Sequence, residues 1–129
     1  MLLFPRMEKK TDILENFKTA ITSTIKSISG SQEVEVTFGS KASSNKKNAI
    51  NLPEVVTAHN ELDYIKTRAL ADSEALRIKC SNPEIYSFYE PEGNISKLLY
   101  SAAEKIRYEK VGSLNFQGIK NNINKFYNL

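Results

Sequence analysis

Across residues 11–30, Leu14, Phe17, Ile21, Ile25 and Ile28 recur at helical spacing. That spacing predicts an amphipathic helix, with Asp12 and Glu15 offering a start resembling a capping box and Gly30 a stop. The period then changes. Val34, Val36 and Phe38 alternate with Glu33, Glu35 and Thr37, which predicts a half-buried strand over 33–38. A polar stretch, "SKASSNKKN", separates it from "AINLPE", read as a second strand over 48–52 that ends at Pro53. Two short strands joined by a polar tip are expected to pair as a hairpin leaning on helices, since such a unit is not stable alone.

The longest periodic segment follows. Leu62, Ile65, Ala69, Leu76 and Cys80 form one stripe, with Tyr64, Ala71, Ala75 and Ile78 roughly opposite. A helix apolar on two sides belongs at the centre, so residues 60–80 are predicted to be the helix around which the others pack. "SNPEIYSFYEPEG", with two prolines and a glycine, reads as a loop holding at most one helical turn. In the next helix Asn94 is the expected N-cap, Ile95, Leu98, Leu99, Ala102 and Ile106 the core stripe, and Gly112 the end. From a cap at Ser113, a last helix carries Phe116, Ile119, Ile123 and Phe126, with an asparagine-rich end expected to fray. The predicted fold is mainly α with a small β-hairpin (α+β). About four helices form one domain over 11–129, preceded by a flexible N-terminus over 1–10.

Length and composition agree with this and narrow the chemistry. A chain of 129 residues, 40% hydrophobic and 26% charged, has the composition of one globular domain that needs no metal or disulfide staple. A single cysteine cannot form an internal disulfide, and no stretch has the form of a signal peptide or approaches membrane-spanning length. The cytoplasm is the default compartment. The net charge of +3 is dispersed with alternating sign, apart from a mildly basic end carrying Lys110, Lys120 and Lys125. A membrane partner is not expected, and nucleic acid is a weak alternative.

With one histidine and one cysteine, the chain lacks the ligands of a structural zinc site. A nucleophile pair of Cys80 and His59 is disfavoured, because Cys80 lies on an apolar stripe where free cysteine behaves as a small hydrophobe. There is no phosphate-binding loop of the form GxxxxGK and no GxGxxG.

Two carboxylates stand out of pattern. Asp72 falls beside Ile65, Ala69 and Leu76, and Glu109 falls near the apolar face of its helix. A carboxylate that loses water needs hydrogen bonds or a counter-charge in exchange. Arg68, Ser73, Arg77, Glu104 and Arg107 are near enough in sequence to join them, with Gly112 beside Glu109. Two readings stay open: polar pairs that lock the central helix to the next, or an exposed carboxylate and arginine groove that docks a partner.

At these same residues the chain resembles a known family, the N-terminal region of the CobT subunit of aerobic cobaltochelatase. The likeness covers about residues 17–126. "ISGSQEVEVTFGS" is similar to the family's "IAGDHEVEVTF", "INLPE" to "ARLPE", and "LADSEALRIKC" to "LADSxALRLAC". "EKIRYEKVG" is similar to "EQARVEAIG" and "FQGIKNNI" to "MxGVAxNL", all in the same order. There are departures: Ser81 and Asn82 stand where the family usually has His-Asp, and Tyr86 where it has a further histidine. The family continues into an acidic linker and a von Willebrand A domain, which these 129 residues do not include.

The resemblance implies a non-catalytic assembly module of an ATP-dependent enzyme that inserts cobalt(II) into a corrin ring during cobalamin biosynthesis. Its implied partners are an AAA+ ATPase subunit and a corrin-binding subunit. The complex, a ligase forming cobalt–nitrogen bonds, would use ATP, Mg and Co, with no cofactor bound by this chain. The alternative reading is an autonomous small helical binding module with weak affinity for nucleic acid.

Overall fold

The computed structural model describes residues 10–39, 48–55 and 60–129. The expectations for residues 1–9, for most of the polar stretch between the strands and for His59 lie outside the described residues. The elements are α1 (Lys10–Ser29), β1 (Glu35–Phe38), β2 (Ala49–Leu52), α2 (Glu61–Cys80), α3 (Pro83–Tyr89), α4 (Asn94–Asn115) and α5 (Gln117–Tyr127).

The centre is α2, as its two-sided pattern requires. Ala71 and Ala75 on one side close a core with Ile21 and Ile25 of α1, Val34, and Ile50 and Leu52 of β2. Leu76 on the other side closes a second core with Tyr108 of α4 and Ile119 and Ile123 of α5. The helix is thus a wall between two cores, and small alanines on the α1 side let the layers approach closely. Asn60 caps α2, its Oδ1 accepting from the Leu62 N–H at 3.1 Å. Gly30, at φ 73°, ends α1 in the left-handed region that residues with a Cβ avoid, while its N–H bonds the Lys26 carbonyl.

The two strands pair, but in parallel, with Glu35 beside Ala49 and Phe38 beside Leu52. This corrects the expected hairpin. A four-residue strand is about 13 Å long, and the ten residues from Gly39 to Asn48 can reach about 33 Å. The connection is therefore long enough to return to the starting end. Parallel alignment keeps Val36 and Phe38 as well as Ile50 and Leu52 toward α1 and α2.

Three further boundaries differ from expectation. "PEIYSFY" forms the two-turn helix α3, because Asn82 Oδ1 accepts from the N–H groups of Glu84 and Ile85 and Pro83 sits at the first turn, where no N–H is needed. Among the described residues there are five helices where about four were expected. Gly93 rather than Asn94 is the N-cap of α4, and that helix runs through Gly112 and Ser113 to Asn115. Gly112 is interior because a Cβ built there would collide with both Cδ atoms of Leu76, so its bare backbone is what lets α4 lie against α2. Only the C-terminal half of α4 is packed in this way. The stripe expected to be core is instead exposed at Ile95, Leu98, Leu99 and Ile106.

Since Leu76 is fully buried and cannot swing aside, Gly112→Ala is expected to cost about 1–3 kcal/mol in urea unfolding. Gly118→Ala in α5, where a Cβ meets nothing within 4 Å, should be neutral or stabilise by up to about 1 kcal/mol. Equal effects at the two glycines would contradict the close approach.

Candidate functional site: a polar junction and the cleft beside it

The out-of-pattern residues fall into separate networks rather than one. Asp72 is 1% exposed, and its Oδ2 accepts from Asn122 Nδ2 of α5 at 2.7 Å. Its Oδ1 and the Nε of Arg68 are buried without hydrogen-bond partners. Burial strips water from the carboxylate and raises its pKa, a shift that the Asn122 amide and then the Arg68 charge oppose.

Beside it, Ser73 Oγ donates to Glu109 Oε1 at 2.6 Å, tying α2 to α4. The Tyr127 hydroxyl of α5 donates to Glu109 Oε2 at 2.9 Å, and Lys105 Nζ lies 4.0 Å from Oε1. One buried carboxylate therefore holds three helices. Burial, with the Glu74 carboxylate nearby, pushes the neighbouring Tyr108 hydroxyl up to about 12, so it stays neutral under ordinary conditions.

The arginines serve other bonds. Arg77 donates from Nε to Glu74 at 2.8 Å and from Nη2 to the Ala49 carbonyl at 3.4 Å, joining α2 to β2. Arg107 pairs with Glu104, and its Nη2 donates to the Cys80 carbonyl at 2.7 Å, capping the C-terminal end of α2 with positive charge. Of the residues singled out in the sequence, the structure brings together Asp72 with Arg68, Ser73 with Glu109, and Glu104 with Arg107. Gly112 contributes close packing alone.

Asn122 and Tyr127 were not among the residues singled out, yet both complete the junction. Asn122 had a readable signal: it lies with Ile119, Ile123 and Phe126 at helical spacing, a polar residue in an apolar stripe just like Asp72. Tyr127 had none, being exposed and the last residue of its helix.

Next to the junction, the C-terminal end of α2, α3 and α4 enclose an open cleft of about 750 Å³. Arg77, Cys80, Tyr86, Ser101, Glu104 and Tyr108 contribute to its walls. Contact between Tyr86 and Tyr100, with ring centroids 4.6 Å apart, and a 3.0 Å bond from the Tyr100 hydroxyl to the Tyr86 carbonyl hold α3 on α4. This mooring leaves Ile85, Phe88 and Tyr89 of α3 facing water, Phe88 at 80% exposure. Cys80 is half-buried and packs against the second core. Among the described residues, no group of three or more His, Cys, Asp or Glu side chains is placed to hold a metal ion. Nor, among them, is any helix long and apolar enough to cross a membrane.

Comparison with known proteins finds a match over residues 11–128 to the family model described as cobalamin biosynthesis protein CobT. No solved structure matches the chain.

Two outcomes follow from the junction. Ser73→Ala leaves the buried Glu109 carboxylate short of a donor and should cost about 2 kcal/mol in urea unfolding, against less than about 1 kcal/mol for Tyr127→Phe at its exposed position. The raised pKa of Asp72 means that the folded state holds this proton more tightly than the unfolded chain. Stability contributed by the neutral form is thus present at low pH and is lost as pH rises from the ordinary carboxylate value through the raised one. Compared with Asp72→Asn, the unaltered protein should lose ground as pH rises above the ordinary carboxylate range. A pH-independent difference would show that ionising Asp72 costs the fold nothing.

Proposed function

The chain belongs to the CobT family and so takes part in cobalamin biosynthesis; from that premise we propose that it is an assembly module of an ATP-dependent cobaltochelatase. In this reading the module docks the AAA+ ATPase subunit or the corrin-binding subunit, and cobalt(II) insertion into the corrin ring, with ATP, Mg and Co, is the work of the complex.

The observation that supports this is α3. Ile85, Phe88 and Tyr89 are 58%, 80% and 68% exposed on a short helix fixed by the Tyr86–Tyr100 contact at the rim of the cleft. Fixed aromatic side chains beside a concavity are what a binding interface uses as anchors, because little conformational freedom is lost when they are covered. Arg77 and Glu104 in the cleft wall add charges that can orient a partner. The buried carboxylates, by contrast, are engaged within the chain: Asp72 with Asn122, Glu109 with Ser73 and Tyr127. Of the two readings of Asp72 and Glu109, this favours the fold-locking one, with docking assigned to the neighbouring surface.

The test is capture of the purified AAA+ and corrin-binding subunits on the immobilised 129-residue protein, with and without ATP. Retention of at least one subunit is expected. Phe88→Asp should weaken it at least about tenfold with helical circular dichroism unchanged. Failure of both subunits to bind under either condition would overturn the assignment.

A further inference from the structure

Among the described residues, Asp72 Oδ1 and Arg68 Nε are the polar side-chain atoms left buried without a hydrogen-bond partner. Asp72 and Arg68 stand in the wall of an open hollow of about 360 Å³ that also takes in Gln117, Gly118, Ile119 and Asn122 of α5. A carboxylate that is 1% exposed with one oxygen idle weakens the fold unless something reaches that oxygen. The other polar side chains of the hollow are turned to their own helices: Thr24 donates to Ala20, Asn115 to Val111 and Gln117 to Asn121.

The head of α5, in the same wall, is also unfinished. Phe116 occupies the N-cap with no side-chain bond, and the first turn holds no acidic residue. The Phe116 N–H bonds the Gly112 carbonyl, which leaves the N–H groups of Gln117, Gly118 and Ile119 as donors with no partner inside the helix. They add the positive end of the helix dipole to the charge of Arg68. Gly118 brings no side chain to block them, and a Cβ there would meet nothing within 4 Å.

We propose that this hollow is an oxyanion site and that its ligand is hydrogen phosphate. The negative oxygens accept from the N–H groups at the head of α5 and from Arg68, while the P–OH group donates to Asp72 Oδ1. The donors select for negative charge, as helix N-termini do. Asp72 selects for a proton, because its carboxylate repels an anion with no hydrogen to offer and forms a short charge-assisted bond with one that has. Sulfate has the same shape but no such hydrogen. A cation is disfavoured by Arg68 and the helix end, and a water would meet Oδ1 but leave the positive potential unbalanced. Arg68 also borders a second hollow of about 360 Å³ beside Phe17 and Tyr64, so its side chain has room to turn onto the ligand and uncover Oδ1.

Isothermal titration calorimetry of the 129-residue protein tests this at about pH 8, where inorganic phosphate still carries a proton and sulfate none. The probes are inorganic phosphate and sulfate at matched ionic strength. Saturable phosphate binding with a Kd below about 1 mM is expected, with sulfate at least about tenfold weaker. Asp72→Asn replaces an acceptor by a side chain that can also donate, and should bring the two anions within about threefold of each other. Gly118→Asp sets a carboxylate of the chain's own among the N–H groups of α5. It should abolish phosphate binding while helical circular dichroism is unchanged and the urea midpoint is unchanged or raised. No saturable phosphate binding, or sulfate bound as tightly as phosphate by the unaltered protein, would overturn the proposal. So would a preference for phosphate that survives Asp72→Asn, or undiminished binding by Gly118→Asp. None of these outcomes bears on subunit docking, which is probed by Phe88→Asp on α3.

Discussion

The fold depends on how closely α4 can lie against α2. That approach is set by Gly112, whose missing side chain makes room for Leu76. Around this contact everything else on one side of α2 is arranged: Tyr108 one turn earlier closes the second core, and Ile119 and Ile123 of α5 complete it. A close approach also brings polar groups into hydrogen-bonding range where water is excluded. The Ser73–Glu109 bond at 2.6 Å and the Tyr127 hydroxyl at 2.9 Å from the same carboxylate follow from it. Apolar burial supplies the driving force there, and the carboxylate fixes which helix faces meet, since any other rotation of α4 would strand a buried charge.

The periodic elements were legible in the sequence because period is a local property. α1, α2, β1, α4 and α5 follow from spacing alone, and the two-sided pattern of α2 correctly identified it as central. The sense of strand pairing was not legible. Four-residue strands with inward Val36 and Phe38, Ile50 and Leu52 show the same alternation whether they run parallel or antiparallel, and the path of the connection decides. α3 was hidden by its prolines, although Asn82 followed by Pro83 is itself a helix start. Gly112 was read as a stop because glycine ends helices more often than it fills their interiors; its packing role needs knowledge of Leu76, distant in sequence.

The same division holds at the junction. That Asp72 and Glu109 would need partners was visible from phase, but the partners were visible only in part. Ser73 stood in the same candidate network as Glu109 without being singled out as its partner, and Asn122, fifty residues from Asp72, becomes the partner of Asp72 only through the rotation of α5 on α2. Arg77 and Arg107 looked like natural counter-charges and went instead to nearer carboxylates and to backbone carbonyls at the ends of elements. Side chains as long as arginine have several reachable partners, so sequence proximity constrains them little.

The exposed stripe of α4 carries the last step. A helical pattern states which residues share a face but not what covers it, and here one continuous helix serves two purposes. Its C-terminal half, with Tyr108, Glu109 and Gly112, is buried in the fold. Its N-terminal half, about 20 Å of helix, carries α3 on one flank and the apolar stripe on another. The sequence pattern that marks the apolar face runs through both halves, so what separates them is the packing of α2 and α5, which reaches Tyr108, Glu109 and Gly112 and stops short of Ile106.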